Sequence, residues 1–121
     1  MSKLVLHLDD EPAIREILAA ALGTHGYRVT SVTTPTEAIN AANQEKPDLM
    51  ISDLQLEEGD GLETVQQIRK IFPGLPVIIL TGVLLDTRVA QRSVAKDADV
   101  YLPKTGSLAK IVEEVKRLVG S

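Results

Sequence analysis

Short apolar runs alternate with longer amphipathic stretches along the whole chain, and no other feature confines the fold as tightly. Leu4-Val5-Leu6-His7-Leu8 is a near-continuous run of strand formers, the pattern of a strand covered on both faces. Ile14, Ile17, Leu18, Ala21 and Leu22 then recur at the spacing of one helix face, which ends between Gly23 and Gly26. Arg28 to Val32 predicts a second strand and Thr36 to Gln44 a short Ala-rich helix. Leu49-Met50-Ile51-Ser52 is a buried strand ending at Asp53, and Leu62, Val65, Ile68 and Ile71 form a helix face closed by Pro73-Gly74. Val77 to Leu80 is the most apolar strand, broken by Thr81-Gly82. Asp86 to Ala95 predicts a fourth helix with a thin stripe of Val89, Ala90 and Val94. Val100 to Leu102 is a short strand, and Ser107 caps a last helix presenting Leu108, Ile111, Val112, Val115 and Leu118.

Strands alternating with helices place the chain in the α/β class, a parallel sheet with helices on both faces. Right-handed crossovers leave few topologies, and the expected one is a doubly wound, flavodoxin-like (βα)5 fold with strand order 2-1-3-4-5. Every linker is short, so residues 1–121 read as a single domain with no output domain in this chain. With Tyr27, Phe72 and Tyr101 as the aromatics, the core must be aliphatic. The absence of Cys excludes a disulfide scaffold, Cys-ligated metal centres and thiol catalysis. Thirteen Lys and Arg are scattered among 17 Asp and Glu, for a net charge of −4. That balance argues against direct nucleic-acid binding or an anionic membrane surface, each of which needs clustered cations. No apolar run reaches the ~20 residues of a membrane span. Met1-Ser2-Lys3 leads into a strand without a signal-peptide pattern, so the expected location is the cytoplasm.

In open α/β sheets the functional crevice lies beyond the carboxyl ends of the strands, where strand order reverses. Those ends carry Asp9 and Asp10, then Asp53, Thr81 and, a few residues after the last strand, Lys104. Three carboxylates held close repel one another, so a proton or a cation must intervene. One lysine cannot balance them all. Oxygen-only ligands favour Mg²⁺, and Mg²⁺ beside a carboxylate, a lysine and a hydroxyl is suited to phosphoryl oxygens, with an aspartate as nucleophile.

Asp9-Asp10-Glu11, Asp53-Leu54, Gly59-Asp60-Gly61-Leu62, Thr81-Gly82 and Tyr101-Leu102-Pro103-Lys104, in this order and spacing, resemble the receiver domain of two-component response regulators. The resemblance runs from about Leu4 to Val119. It implies that Asp53 accepts the phosphoryl group. It further implies that Asp10 and Asp53 bind Mg²⁺ directly, with Asp9 orienting it and the Gln55 backbone carbonyl as a further ligand. Lys104 would pair with the phosphoryl group. Thr81, followed by Gly82, would hydrogen-bond it and move, and Tyr101 would swing inward behind. The implied donor is a phosphohistidine on a histidine kinase or phosphotransfer protein. The implied output surface, for a downstream protein, is the face of the fourth helix, fifth strand and fifth helix.

Some residues depart from the family pattern: Thr105 follows Lys104 where a proline is usual, Glu57-Glu58 replace Pro-Gly, and Asp97 stands where a glycine is common. The expected role is a signalling switch rather than a turnover enzyme. An aspartyl phosphatase would carry a second acid at Gln55. A receiver-like binding module that is not phosphorylated is the other reading these residues leave open. His7 reads as a packed strand histidine, and His25 as an exposed residue at the end of the first helix.

Overall fold

The computed structural model describes residues 2–56, 59–81, 98–104 and 106–120. Along the chain run β1 (Leu4–Leu8), α1 (Pro12–Thr24), β2 (Arg28–Val32), α2 (Pro35–Gln44) and β3 (Leu49–Asp53). There follow β4 (Gln55–Leu56), β5 (Gly59–Asp60), α3 (Gly61–Ile71), β6 (Val77–Thr81), β7 (Val100–Pro103) and α4 (Leu108–Val119). The main sheet is parallel throughout, in the order β2-β1-β3-β6-β7. Counting only its own strands, that is the expected 2-1-3-4-5. The helix expected over Asp86–Ala95 lies outside the described residues. The small antiparallel pair β4–β5 was not foreseen, because strands of two residues are too short to show a periodicity.

Local chemistry sets the helix starts. Pro12 occupies the first turn of α1, where its missing N–H is not needed. Thr34 and Glu37 form a reciprocal capping box ahead of α2, Thr34 Oγ1 accepting from the Glu37 N–H and Glu37 Oε1 from the Thr34 N–H, each at 3.2 Å. Asp60 caps α3 by accepting from the Leu62 N–H at 2.8 Å, and Ser107 caps α4 as expected.

Alternation along the strands divides the core into two layers. Val5, Leu49, Ile51, Ile78 and Leu80 meet Leu18 and Leu22 of α1 and Ile111, Val112 and Val115 of α4. On the opposite face Leu6, Leu8, Met50, Val77 and Ile79 meet Ala38 and Ala42 of α2 and Val65 and Ile68 of α3. β1, β3 and β6 are buried along their full length, which is why they read as unbroken apolar runs. The Tyr27 hydroxyl donates to the Gly120 carbonyl at 2.6 Å and ties the start of β2 to the end of α4. No helix among the described residues is long and apolar enough to cross a membrane.

Candidate functional site

Parallel strands that end in register deliver their last residues to one edge. Asp53 closes β3 and stands beside Leu80 of β6, Thr81 closes β6 beside Pro103 of β7, and Asp9 follows directly on β1. The Lys104 N–H donates to the Thr81 carbonyl at 2.7 Å, so the lysine is anchored by its backbone to that same edge. Its Nζ lies 3.1 Å from Asp9 Oδ1, 3.1 Å from Asp53 Oδ2 and 2.7 Å from Glu11 Oε1. One oxygen each of Asp9, Asp10, Glu11 and Asp53 falls within 4.8 Å of the others.

Burial works against the Lys104 charge, yet hydrogen bonds to Glu11, Asp9 and Asp53 outweigh it and push the ammonium well above the ordinary lysine range. Burial likewise pushes Asp9 up, opposed by the Glu11 N–H and by Lys104. Asp9 Oδ1 accepts from the Glu11 N–H at 2.9 Å and from Lys104, whereas Oδ2 is buried without a hydrogen-bond partner. Four clustered carboxylates with a single ammonium among them form an all-oxygen donor set that fits a hard divalent cation. The balance has a testable consequence. Lys104→Met leaves Asp9 and Asp53 buried without their ammonium, and the metal-free chain is expected to lose about 3 kcal/mol of stability. Urea unfolding in EDTA measures the loss, and added Mg²⁺ should restore more stability to the variant than to the native chain.

The family model of the response regulator receiver domain matches residues 5–116. The chain belongs to the response regulator receiver domains. This receiver is 32% identical to the probable transcriptional regulatory protein TcrX of Mycobacterium tuberculosis over 116 residues, 95% of this chain and 49% of TcrX. It is 42% identical to the transcriptional regulatory protein GlrR of Escherichia coli over 78 residues, 64% of this chain and 18% of GlrR. The receiver thus spans about half the length of the first and less than a fifth of the second. Among solved structures, a CheY-like receiver domain protein of Methanospirillum hungatei superposes with a TM-score of 0.88 at 26% identity, covering 97% of this chain and 93% of the other. The BeF3-activated N-terminal receiver domain of Klebsiella pneumoniae RstA gives 0.87 at 25% identity, covering 98% and 100%.

Within the receiver, Asp9, Asp10, Asp53 and Lys104 converge as their strand-end positions suggest. Gln55 opens β4 just past Asp53, its backbone paired with Asp60. Thr81 is buried at the end of β6. Tyr101 packs against the layer under α2 and α3, with its hydroxyl buried and unpartnered among the described residues. Gly82 and Thr105 lie outside the described residues, as do Glu57, Glu58 and Asp97.

Two residues of the site escaped the sequence reading. Glu11 stood in the Asp9-Asp10-Glu11 motif without a role of its own, yet its carboxylate makes the shortest contact to Lys104. Gly61 was quoted only as part of a motif. A Cβ there would sit 1.7 Å from the Asp53 carbonyl oxygen and 2.9 Å from Ser52 Oγ. α3 is therefore pressed directly onto the strand end that carries Asp53.

His7 is packed, as expected, but it does have an acidic neighbour: Nε2 lies 3.8 Å from Asp9 Oδ2. The missed signal is the i, i+2 spacing, which puts both side chains on one face of a strand. Burial, with the Lys104 and Arg15 charges, pushes its imidazole down from 6.5 to about 4. Between those values the unfolded chain binds a proton that the folded chain refuses. Stability from this group is full above pH 6.5 and falls on acidification through about pH 4, by about 3 kcal/mol in all. Asp9, pushed the other way, gains on acidification and is present in both chains when native protein and His7→Val are compared. Urea midpoints at the two ends of the window should show the variant losing less stability than the native chain.

Proposed function

We propose that this receiver accepts a phosphoryl group on Asp53 from the phosphohistidine of a histidine kinase or phosphotransfer protein, with Mg²⁺ bound in the acidic cluster. The observation that carries the reading is Asp53 itself: a strand-end carboxylate 3.1 Å from a buried lysine, inside a group of four acids. Asp10 and Asp53 would hold the ion, with Asp9 and the Gln55 backbone carbonyl completing the protein's share. Bound there, Mg²⁺ supplies charge neutralisation for phosphoryl oxygens approaching an acidic site.

This chain's own residues do the rest. An Asp53 oxygen attacks phosphorus as the bond from phosphorus to the donor imidazole nitrogen breaks, giving an aspartyl phosphate and a free imidazole that takes its proton from solvent. Lys104 turns from the carboxylates to a phosphoryl oxygen, and the Thr81 hydroxyl donates to another. Modification exchanges one negative charge for about two and adds strong acceptors. Lys104 then leaves Asp9 and Glu11, the contacts that define the unmodified edge. Shifting two packings from 1:99 to 99:1 requires about 5.5 kcal/mol of differential stabilisation.

The output is a signalling contact in the cytoplasm, with turnover limited to slow loss of the phosphoryl group. The partner face is that of β7, α4 and the expected helix at Asp86–Ala95, with Tyr101 as the residue that reports the switch. With a net charge of −4, this receiver meets a protein rather than nucleic acid directly. TcrX and GlrR, named as transcriptional regulatory proteins, make a transcriptional output a fitting one for this receiver. The test is incubation of the native chain with acetyl phosphate and Mg²⁺. One added phosphoryl mass, absent when EDTA replaces Mg²⁺ in the incubation, is expected. A chain left unmodified at saturating donor and metal overturns the reading.

A further inference from the structure

Three of the four buried side-chain polar atoms without a hydrogen bond among the described residues belong to one spot: His7 Nδ1, His7 Nε2 and Asp9 Oδ2. His7 is fully buried in the middle of the sheet, at a position of β1 whose neighbours Leu6 and Leu8 are aliphatic. A valine would satisfy such a strand better, so an imidazole with both nitrogens unsatisfied calls for a function. The unmatched donor and the unmatched acceptor face each other across 3.8 Å, too far for a hydrogen bond, which needs about 3 Å. Meanwhile the other Asp9 oxygen is fully engaged by the Glu11 N–H and by Lys104.

We infer that His7 is a positioning residue for the acceptor site, its imidazole donating an Nε2 proton to Asp9 Oδ2 once Lys104 leaves Asp9 for a phosphoryl oxygen. The inference rests on the acceptor reading above. Release of Oδ1 by the ammonium lets the carboxylate turn by the fraction of an ångström that closes the gap. The imidazole then supplies the donor that fixes Asp9 from below the sheet edge, as an outer partner fixes a metal-ligating group. A neutral imidazole carries one N–H and one lone pair, so the nitrogen facing Asp9 can be the donor while the other keeps its lone pair. The Nδ1 lone pair remains the one unmatched group at the spot, against three before.

Long-range ¹H–¹⁵N spectra of the labelled native chain read the tautomer directly, first metal-free, then with Mg²⁺, then with Mg²⁺ and beryllofluoride. The expected result is an Nε2–H imidazole whose proton moves downfield on beryllofluoride addition, as a hydrogen bond forms. Mg²⁺ titration of the variants in the presence of beryllofluoride gives the second readout, because the His7–Asp9 bond forms only with a phosphoryl-like group to draw Lys104 away. His7→Val should bind Mg²⁺ about tenfold more weakly, and His7→Gln, which keeps a donor at the corresponding reach, should recover most of that affinity. A role in packing alone would favour the valine and give no rescue by glutamine. An Nδ1–H tautomer overturns the inference, and so does an Nε2 proton unmoved by an adduct that shifts Thr81. A native chain that binds neither Mg²⁺ nor beryllofluoride overturns the acceptor reading instead, and is told apart because the valine and glutamine variants are then irrelevant to it.

Discussion

Asp53→Asn is expected to abolish labelling by acetyl phosphate while leaving the chain folded. The amide matches the carboxylate in size but has no anionic oxygen to form the acyl phosphate. Folding survives because Lys104 keeps Asp9 at 3.1 Å and Glu11 at 2.7 Å, and one like charge leaves a crowded acidic cluster. The thermal midpoint should therefore be unchanged or raised in metal-free buffer, which separates loss of chemistry from loss of structure. Intact mass after incubation with donor and Mg²⁺ measures the first, and a melting curve the second. Labelling of the variant at the native level would place the phosphoryl group elsewhere, with Asp10 or Glu11 the first residues to map.

Gly61→Ala is expected to cost about 4 kcal/mol, at the exceptional end for a single methyl group. The added carbon has nowhere to go: it would meet the main-chain oxygen of Asp53 at 1.7 Å and the carbonyl carbon at 2.9 Å. Neither is the movable end of a side chain, so relief requires β3 and α3 to part. Parting them also disturbs the Ser52 hydroxyl, which donates to that same Asp53 oxygen at 3.0 Å. Val65 and Ile68, fully buried further along α3, would be pulled from the layer they fill. Urea unfolding gives the stability change. Labelling of the surviving folded fraction should drop as well, because the oxygen that clashes belongs to the acceptor residue. An alanine variant as stable as the native chain would mean that α3 can ride outward freely, contrary to the packing described.

The two effects differ in how legible they were. Asp53 announced itself: a polar residue ending the buried run Leu49 to Ser52, at the edge where an α/β sheet places its chemistry. The same reasoning located Asp9, Asp10, Thr81 and Lys104, since periodicity places strands and a strand's end places a side chain. Gly61 gave no such signal, because its φ is negative and its role is a close approach to a carbonyl eight residues earlier in the chain. Glu11 stood in the acidic motif with no role assigned to it. Its contact with Lys104 spans 93 positions and exists only once β1 and β7 lie in one sheet. The β4–β5 pair, two residues a side, fell below what any pattern can register.

By itself the sequence determined the class of fold, the strand order and the identity of the acidic edge. Those follow from local quantities: the apolar period, the handedness of crossovers and the residue that ends each strand. Only the tertiary structure decided which acids share Lys104, which oxygen of Asp9 is left over, and that His7 lies beneath it. These are distances of a few ångströms between side chains far apart along the chain, and the packing of sheet and helices sets them.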